Sequence, residues 1–199
     1  IDFIGTLSRS ATLSLSLCFF GLVLCFLTDE FSLFYVASNS SSSTPIFYKI
    51  FCALSGYDGS MLFFLVCLSC WKTFSILRGF CDRLQRDLII TFNFFELGIC
   101  SFILFFANPF ARSLPNFPLD GRGLNPQLYD LMFFIHPLTI IIGFAATAVP
   151  CCYCLASMLN EKSTHFNFLT IRPHIVISWF LLLIGIFSGC YWAYNSIGW

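Results

Sequence analysis

Charge is what this chain has least of: 10 basic and 10 acidic side chains stand among 199 residues, 10% in all. A water-soluble domain of this size carries about a quarter of its residues as charge, so a water-exposed surface all round is excluded. The two signs cancel, which leaves no electrostatic case for a polyanion such as nucleic acid. Other absences narrow the reading further. The C-x-x-C at Cys67 and Cys70 is followed by Trp71, not the His that attachment of a c-type haem requires. No His or acid accompanies the cluster PCCYC at Pro150 to Cys154, and most of the 11 cysteines lie inside apolar runs, where Cys behaves as a small hydrophobe. No small-residue cleavage site follows the first apolar stretch, so it does not read as a secretory leader.

What is present is hydrophobic: 58% of the residues, with a mean hydropathy of +0.84. The 27 Phe residues exceed what packing requires and suit an AT-biased organelle genome, because Phe codons are AT-rich. Five apolar segments have the length of bilayer-crossing helices, at about 11–27, 61–76, 88–107, 131–159 and 175–194. The expected fold is therefore an all-α integral membrane bundle of about five spans, one membrane domain over 1–199, with outer loops at 28–60 and 108–130. Basic residues set the expected orientation. Arg9, Lys72, Arg78, Arg83, Arg86, Lys162 and Arg172 fall on one side, and Lys49, Arg112 and Arg122 on the other. The side with seven faces the matrix or cytoplasm by the positive-inside rule, which puts Trp199 on the outer side.

The loops differ in character. The first carries the serine run SNSSSST and reads as flexible spacer. The second, NPFARSLPNFPLDGRGLNPQLYD, holds four prolines, which fix backbone angles and remove donors, so it reads as an ordered strap.

Four sites could carry chemistry. His136 stands where the strap gives way to an apolar run, and neutral imidazole is a strong axial ligand for haem iron. Pro137 suits a first helical turn, and Phe133 and Phe134 could flank a porphyrin; the plainer reading is a boundary histidine bonded to loop carbonyls. Glu96 is an intramembrane acid, either functional or a protonated partner of Asn93 one turn away. His165 and His174 read most simply as solvated or headgroup-facing, and Trp71, Trp179, Trp192 and Trp199 as an interfacial belt.

Three ordered blocks together resemble the CcmF-type cytochrome c haem lyases. FLTDEFSLFYVASNSSSSTPIFYKIFCALSGYDGSMLFFL resembles that family's first outer loop and following span, where a G-H-E-G-S box falls. NPFARSLPNFPLDGRGLNPQLYDLMFFIHPLTIIIGFAATAVP resembles its L-N-P-L-L-Q-D-P loop followed by H-P-P. RPHIVISWFLLLIGIFSGCYWAYNSIGW resembles its R-P-W…G-S-W-W-A-Y-x-x-L-G-W run.

The resemblance implies a polytopic protein that joins haem to apocytochrome c through thioether bonds on the outer face of the membrane. A chaperone delivers the haem, which is held over a tryptophan-rich segment between two outer histidines. His136 matches the first of these, as haem axial ligand. Asn125, Asp130 and Pro137 in the same block, with Trp192 and Trp199 in the last, are the accompanying cofactor-binding candidates, and Asp130 or a strap carbonyl is the expected acceptor for the second imidazole nitrogen.

The departures are specific. Tyr57 and Asp58 replace the His and Glu of the box, Leu138 the second proline of H-P-P, and Tyr191 one tryptophan. The family continues past Trp199 as G-G-W-W-F-W-D-P. The expectation is thus an N-terminal piece of a split mitochondrial lyase, inactive alone, with haem b bound in the assembled complex. Its partners would be the fragment bearing the tryptophan-rich segment, the haem chaperone, apocytochrome c and membrane lipid. The alternative is a structural subunit among respiratory-chain proteins. Either reading places the chain in the mitochondrial inner membrane, with its N-terminus in the matrix and C-terminus in the intermembrane space.

Overall fold

A computed structural model of the chain describes residues 2–77, 82–113, 115–159 and 168–198. Trp199, Arg78, Lys162 and His165 lie outside the described residues. The helices are α1 (Asp2–Leu27), α2 (Phe34–Asn39), α3 (Ile46–Cys52), α4 (Tyr57–Leu77), α5 (Asp82–Phe106), α6 (Met132–Leu159) and α7 (Phe168–Ile197), with a single 3₁₀ turn at Pro126–Leu128. Among the described residues, extended pairing is limited to one antiparallel bridge between Leu33 and Arg112.

Among the described residues, five helices are long and apolar enough to cross a bilayer: Phe3–Leu27, Tyr57–Leu77, Leu84–Phe106, Met132–Leu159 and Ile171–Ser196. At 1.5 Å per residue, each reaches across a hydrocarbon layer of about 30 Å. Helix is the outcome because a segment surrounded by lipid must satisfy its own backbone donors and acceptors. Large apolar side chains such as Phe94, Phe105 and Phe187 therefore point outward and are highly exposed, as suits a lipid-facing surface.

α4 is central, packing against α1, α5 and α6, while α6 and α7 form the most extensive helix pair. The α6–α7 approach is close because glycine lines it. A Cβ on Gly143 would lie 3.0 Å from Leu182, and one on Gly185 2.6 Å from Ile140. Small residues allow such backbone proximity where no hydrophobic force drives helices together in lipid. One core cluster joins Leu22, Phe26, Tyr35, Val36, Phe133 and Phe134, and a second joins Leu68, Leu88, Phe92, Val149, Cys152 and Tyr153.

Three expectations are corrected. The serine run is not flexible spacer. Ser40, Ser41 and Thr44 are buried, the Ser41 amide donates to Thr44 Oγ1 at 3.1 Å, and the Ser42 amide donates to Asp120 Oδ1 at 2.8 Å. Short hydroxyl side chains here close a turn by bonding nearby backbone. His174 faces neither solvent nor headgroups. It is 1% exposed on α7, with Trp71 and Phe74 edge-on at 5.8 and 6.0 Å between ring centroids.

Lys72, counted among the inner charges, is instead buried in α4 at 1% exposure. Its ammonium donates to Glu96 Oε2 at 2.6 Å and to Asn93 Oδ1 at 3.0 Å on α5. The long Lys stem makes this reach possible, and Glu96 is thereby an ion-pair partner rather than a protonated acid held by Asn93 alone. The inner charge count falls from seven to six, which leaves its excess over the other side in place.

Removing one member of a buried ion pair strands the other, at a cost of roughly 3–5 kcal/mol, whereas replacing both by apolar groups of similar volume is often neutral. Lys72→Met should therefore lower the thermal unfolding midpoint of the detergent-purified chain sharply, and Lys72→Met with Glu96→Leu should restore most of it. Equal midpoints for the single and double variants would contradict the pairing.

Candidate functional site

The segment from Asn108 to Asp130 is tied to the α1–α4 connection along its length. Phe34 and Ser113 amides donate to the carbonyls of Ala111 and Ser32, both at 2.9 Å. Farther on, the Arg122 amide donates to the Ala37 carbonyl at 2.8 Å and the Gly123 amide to that of Ser40 at 3.1 Å. A Cβ on Gly121 would lie 1.9 Å from the Ser40 carbonyl oxygen, so only glycine permits this approach, and Gly123 adopts φ +81°. Asp120 fastens the two pieces, accepting from the Ser42 amide and hydroxyl, both at 2.8 Å. These bonds hold the Asp120 carboxyl below its ordinary pKa. Beneath them, the Tyr35 hydroxyl accepts from the Gly56 amide at 3.0 Å and donates toward the Ala53 carbonyl at 3.1 Å. Burial pushes its pKa up to about 12, so it remains a donor at neutral pH.

This knitted strap ends by starting α6. Asn125 caps the 3₁₀ turn, accepting from the Gln127 amide at 3.1 Å. Asp130 does the same for α6, accepting from the Met132 amide at 2.7 Å, where a carboxylate also suits the positive end of the helix dipole. His136 follows one turn inside the helix. Its Nδ1 lies 2.7 Å from the Gly185 carbonyl oxygen of α7. A carbonyl oxygen can only accept, so Nδ1 carries the proton, and the Nε2 lone pair is left for another partner. The ring is seated in a notch, since a Cβ on Gly189 would meet it at 2.5 Å. Trp192, less than one turn beyond Gly189, donates its indole N–H to the Gln127 carbonyl at 3.1 Å and so joins α7 to the strap.

The structure thus brings His136, Pro137, Asp130, Asn125 and Trp192 to one end of the α6–α7 pair. It revises their expected roles. Pro137 does not begin the helix: α6 starts at Met132 because Asp130 caps it there, and Pro137 is inside it. The second imidazole nitrogen goes to Gly185 rather than to Asp130 or a strap carbonyl, because Asp130 is occupied at the helix start. Phe133 and Phe134 are buried in the core and do not flank His136 as a porphyrin wall; Phe134 stacks against Phe47, Tyr48 and Phe51 at 4.8, 5.4 and 4.0 Å. Tyr57, at the altered box, donates to the Phe106 carbonyl at 3.0 Å and ties α4 to α5. Sequence reasoning missed Gly185, Gly189 and Gln127. The four-residue spacing of Gly185 and Gly189 in an apolar run was the available signal for a close helix contact.

A half-buried neutral histidine whose Nδ1–H is held by a carbonyl has the donor chemistry of an axial ligand to haem iron at its other nitrogen. Among the described residues, no group of three His, Cys, Asp or Glu side chains could hold a metal ion by itself. The site offers one candidate ligand.

The architecture defines a polytopic α-helical membrane protein with an ordered cap over one end of its bundle. Residues 54–199 match the family model described as cytochrome C assembly protein. The chain belongs to this family. It is 35% identical over 193 residues to the cytochrome c-type biogenesis protein CcmF of Escherichia coli strain K12, a match covering 94% of this chain and 29% of that protein. It is also 35% identical over 201 residues to the biogenesis protein NrfE of Haemophilus influenzae, covering all of this chain and 31% of the relative. The biogenesis protein CycK of Rhizobium meliloti is 31% identical over 180 residues, covering 89% of the chain and 26% of the relative. The chain spans less than a third of the length of these curated relatives. No solved structure matches it.

Asp120 gives the cap a pH dependence of definite sign. Its folded-state pKa is lowered, so its contribution is complete above the unfolded value of about 3.9 and is lost as pH falls through the folded value. Amide exchange at Ser42 should be insensitive to pH between 5 and 7 once corrected for intrinsic rates, and should rise below pH ~3. In Asp120→Asn the acid-induced rise should disappear. An unchanged acid response in that variant would remove Asp120 as its cause.

Proposed function

We propose that this chain is a subunit of a cytochrome c haem lyase, with His136 as an axial ligand that positions haem for attachment to apocytochrome c. The observation that carries the reading is the His136 geometry within a chain of the cytochrome c assembly family: Nδ1 fixed on Gly185 at 2.7 Å, the ring set against Gly189, and Nε2 left as a ligand. Haem is the cargo. Attachment adds each apocytochrome thiol across a haem vinyl group, sulfur to one carbon and hydrogen to the other, so no atom is lost. This chain's residues bind and orient. His136 supplies the nitrogen, the glycine notch fixes its direction, and the cap joined through Trp192 keeps the ligand-bearing ends of α6 and α7 together.

The chain covers less than a third of its curated relatives; in this reading the second ligand and the haem platform lie in the remainder of the lyase, carried by a partner polypeptide with the tryptophan-rich segment. A haem chaperone and apocytochrome c are the transient partners, and the haem in the assembled complex is of the b type. The cap and His136 lie on the outer face, with α1 beginning on the side richer in Lys and Arg. The Phe-rich composition favours the mitochondrial inner membrane. Trp199, outside the described residues, is assigned to haem binding on the family resemblance alone.

Replacing His136 by Ala should abolish c-type cytochrome maturation while membrane levels of the chain stay near normal. Gly189→Ala should reproduce much of the defect, roughly 10–100-fold as for lost outer-shell support of a metal ligand, because the new methyl occupies the imidazole's seat. Gly98→Ala, whose added Cβ meets nothing within 4 Å, should be silent. Covalent haem content of cytochrome c in isolated membranes is the readout. Normal maturation in His136→Ala, with respiratory complexes disturbed instead, would transfer the function to a structural subunit of a respiratory assembly.

A further inference from the structure

A second polar centre lies away from His136. α4 packs against both α1 and α5, while α1 and α5 barely touch. Between them runs a groove of about 440 Å³ floored by Leu65 and walled by Ser8 and Ala11 of α1 and by Glu96, Leu97 and Cys100 of α5. Two buried oxygen atoms of these walls, Ser8 Oγ and Glu96 Oε1, have no hydrogen-bond partner among the described residues. The other carboxylate oxygen, Oε2, is taken by Lys72 at 2.6 Å. In hydrocarbon no water is at hand to serve the remaining acceptor, and an unmet acceptor there is costly.

We infer that this groove seats a transmembrane helix presenting a neutral hydrogen-bond donor, the hydroxyl or amide of Ser, Thr, Asn, Gln or Tyr, to Glu96 Oε1. Three observations select that occupant. Lys72 already neutralises the carboxylate, so the missing group is a donor rather than a second cation. Lipid acyl chains carry no donor. The wall on α1 alternates the small Ser8, Ala11 and Ser14, where another backbone can approach, with the large apolar Ile4, Leu7 and Leu15, which suit a helix in lipid rather than a polar ligand. The inference rests on the lyase reading for the source of the helix: over two thirds of each curated relative lies outside the region matched here, and the helix belongs to the lyase polypeptide that supplies that remainder.

The test is site-specific photo-crosslinking in membranes where the chain is co-expressed with the polypeptides that co-purify with it. Benzoylphenylalanine replaces Leu97 in the groove or, as control, Phe187 on α7. The Leu97 probe should crosslink to one membrane helix of the lyase partner, mapped by mass spectrometry to within a turn of a neutral donor residue. Ser14→Trp, which fills the mouth of the groove from an exposed position, should abolish that crosslink. Adducts only to lipid or to this chain's own helices would overturn the inference, as would a mapped helix lacking a donor or belonging to a protein outside cytochrome c assembly. Failure of the lyase reading is separately visible, because cytochrome c then matures in His136→Ala whatever Leu97 captures.

Discussion

The 2.7 Å bond from His136 Nδ1 to the Gly185 carbonyl crosses the glycine-lined α6–α7 contact and ties the site to the packing. Glycine at 185 and 189 lets α7 come near enough for a backbone carbonyl to receive the imidazole. The same bond puts a proton on Nδ1 and, in the neutral ring, leaves Nε2 as the nitrogen that the proposed role would turn to iron. α6 must then begin in a defined register, because one residue of slip would rotate His136 by about 100° away from the notch. The Asp130 cap sets that register, and the cap is itself positioned by the strap. The ordered loop and the glycine-lined pair are thus parts of one device for aiming a single side chain.

A related constraint governs the rest of the bundle. Charge is scarce, and two of the basic side chains that enter helices are met inside the chain. Lys72 finds Glu96 and Asn93 across α4 and α5, and Arg9 donates to the Gly5 carbonyl one turn back at 3.2 Å. Outside the spans, Lys49 and Asp29 make a 2.6 Å pair that braces α3 against the end of α1. The hydroxyls of Thr12, Ser69 and Thr73 meet within 3 Å between α1 and α4, a polar clasp among apolar surfaces. In lipid such contacts contribute specificity of packing more than net attraction, since partners are also available before helices associate.

Much of this was readable from residue order. Uncharged runs of bilayer length predicted five spans because length and apolarity mark a bilayer-crossing helix, and the strap's prolines predicted order because they restrict backbone angles. His136 stood out by type and place, but the orientation of its ring did not: the acceptor is on a helix some fifty residues away, and no local pattern reports a partner that distant. Lys72 was misplaced for a kindred reason. Near a span end a lysine reads as an interfacial charge, and only the three-dimensional proximity of Glu96 draws it inward. The serine run misled because polar low-complexity sequence resembles linker, whereas here its hydroxyls meet Thr44 and Asp120, the latter 78 residues on from Ser42.

Axial ligation by His136 can be observed without any appeal to maturation. The complex of this chain with the haem-bearing partner proposed for it would be purified and its ferric haem examined by electron paramagnetic resonance, for the unmodified chain and for His136→Cys. The account predicts a low-spin signal of two nitrogen ligands in the first, replaced by the distinct signal of a thiolate-ligated haem in the second, at similar haem content. An identical spectrum in both would show that the iron takes its ligands elsewhere, and would contradict it.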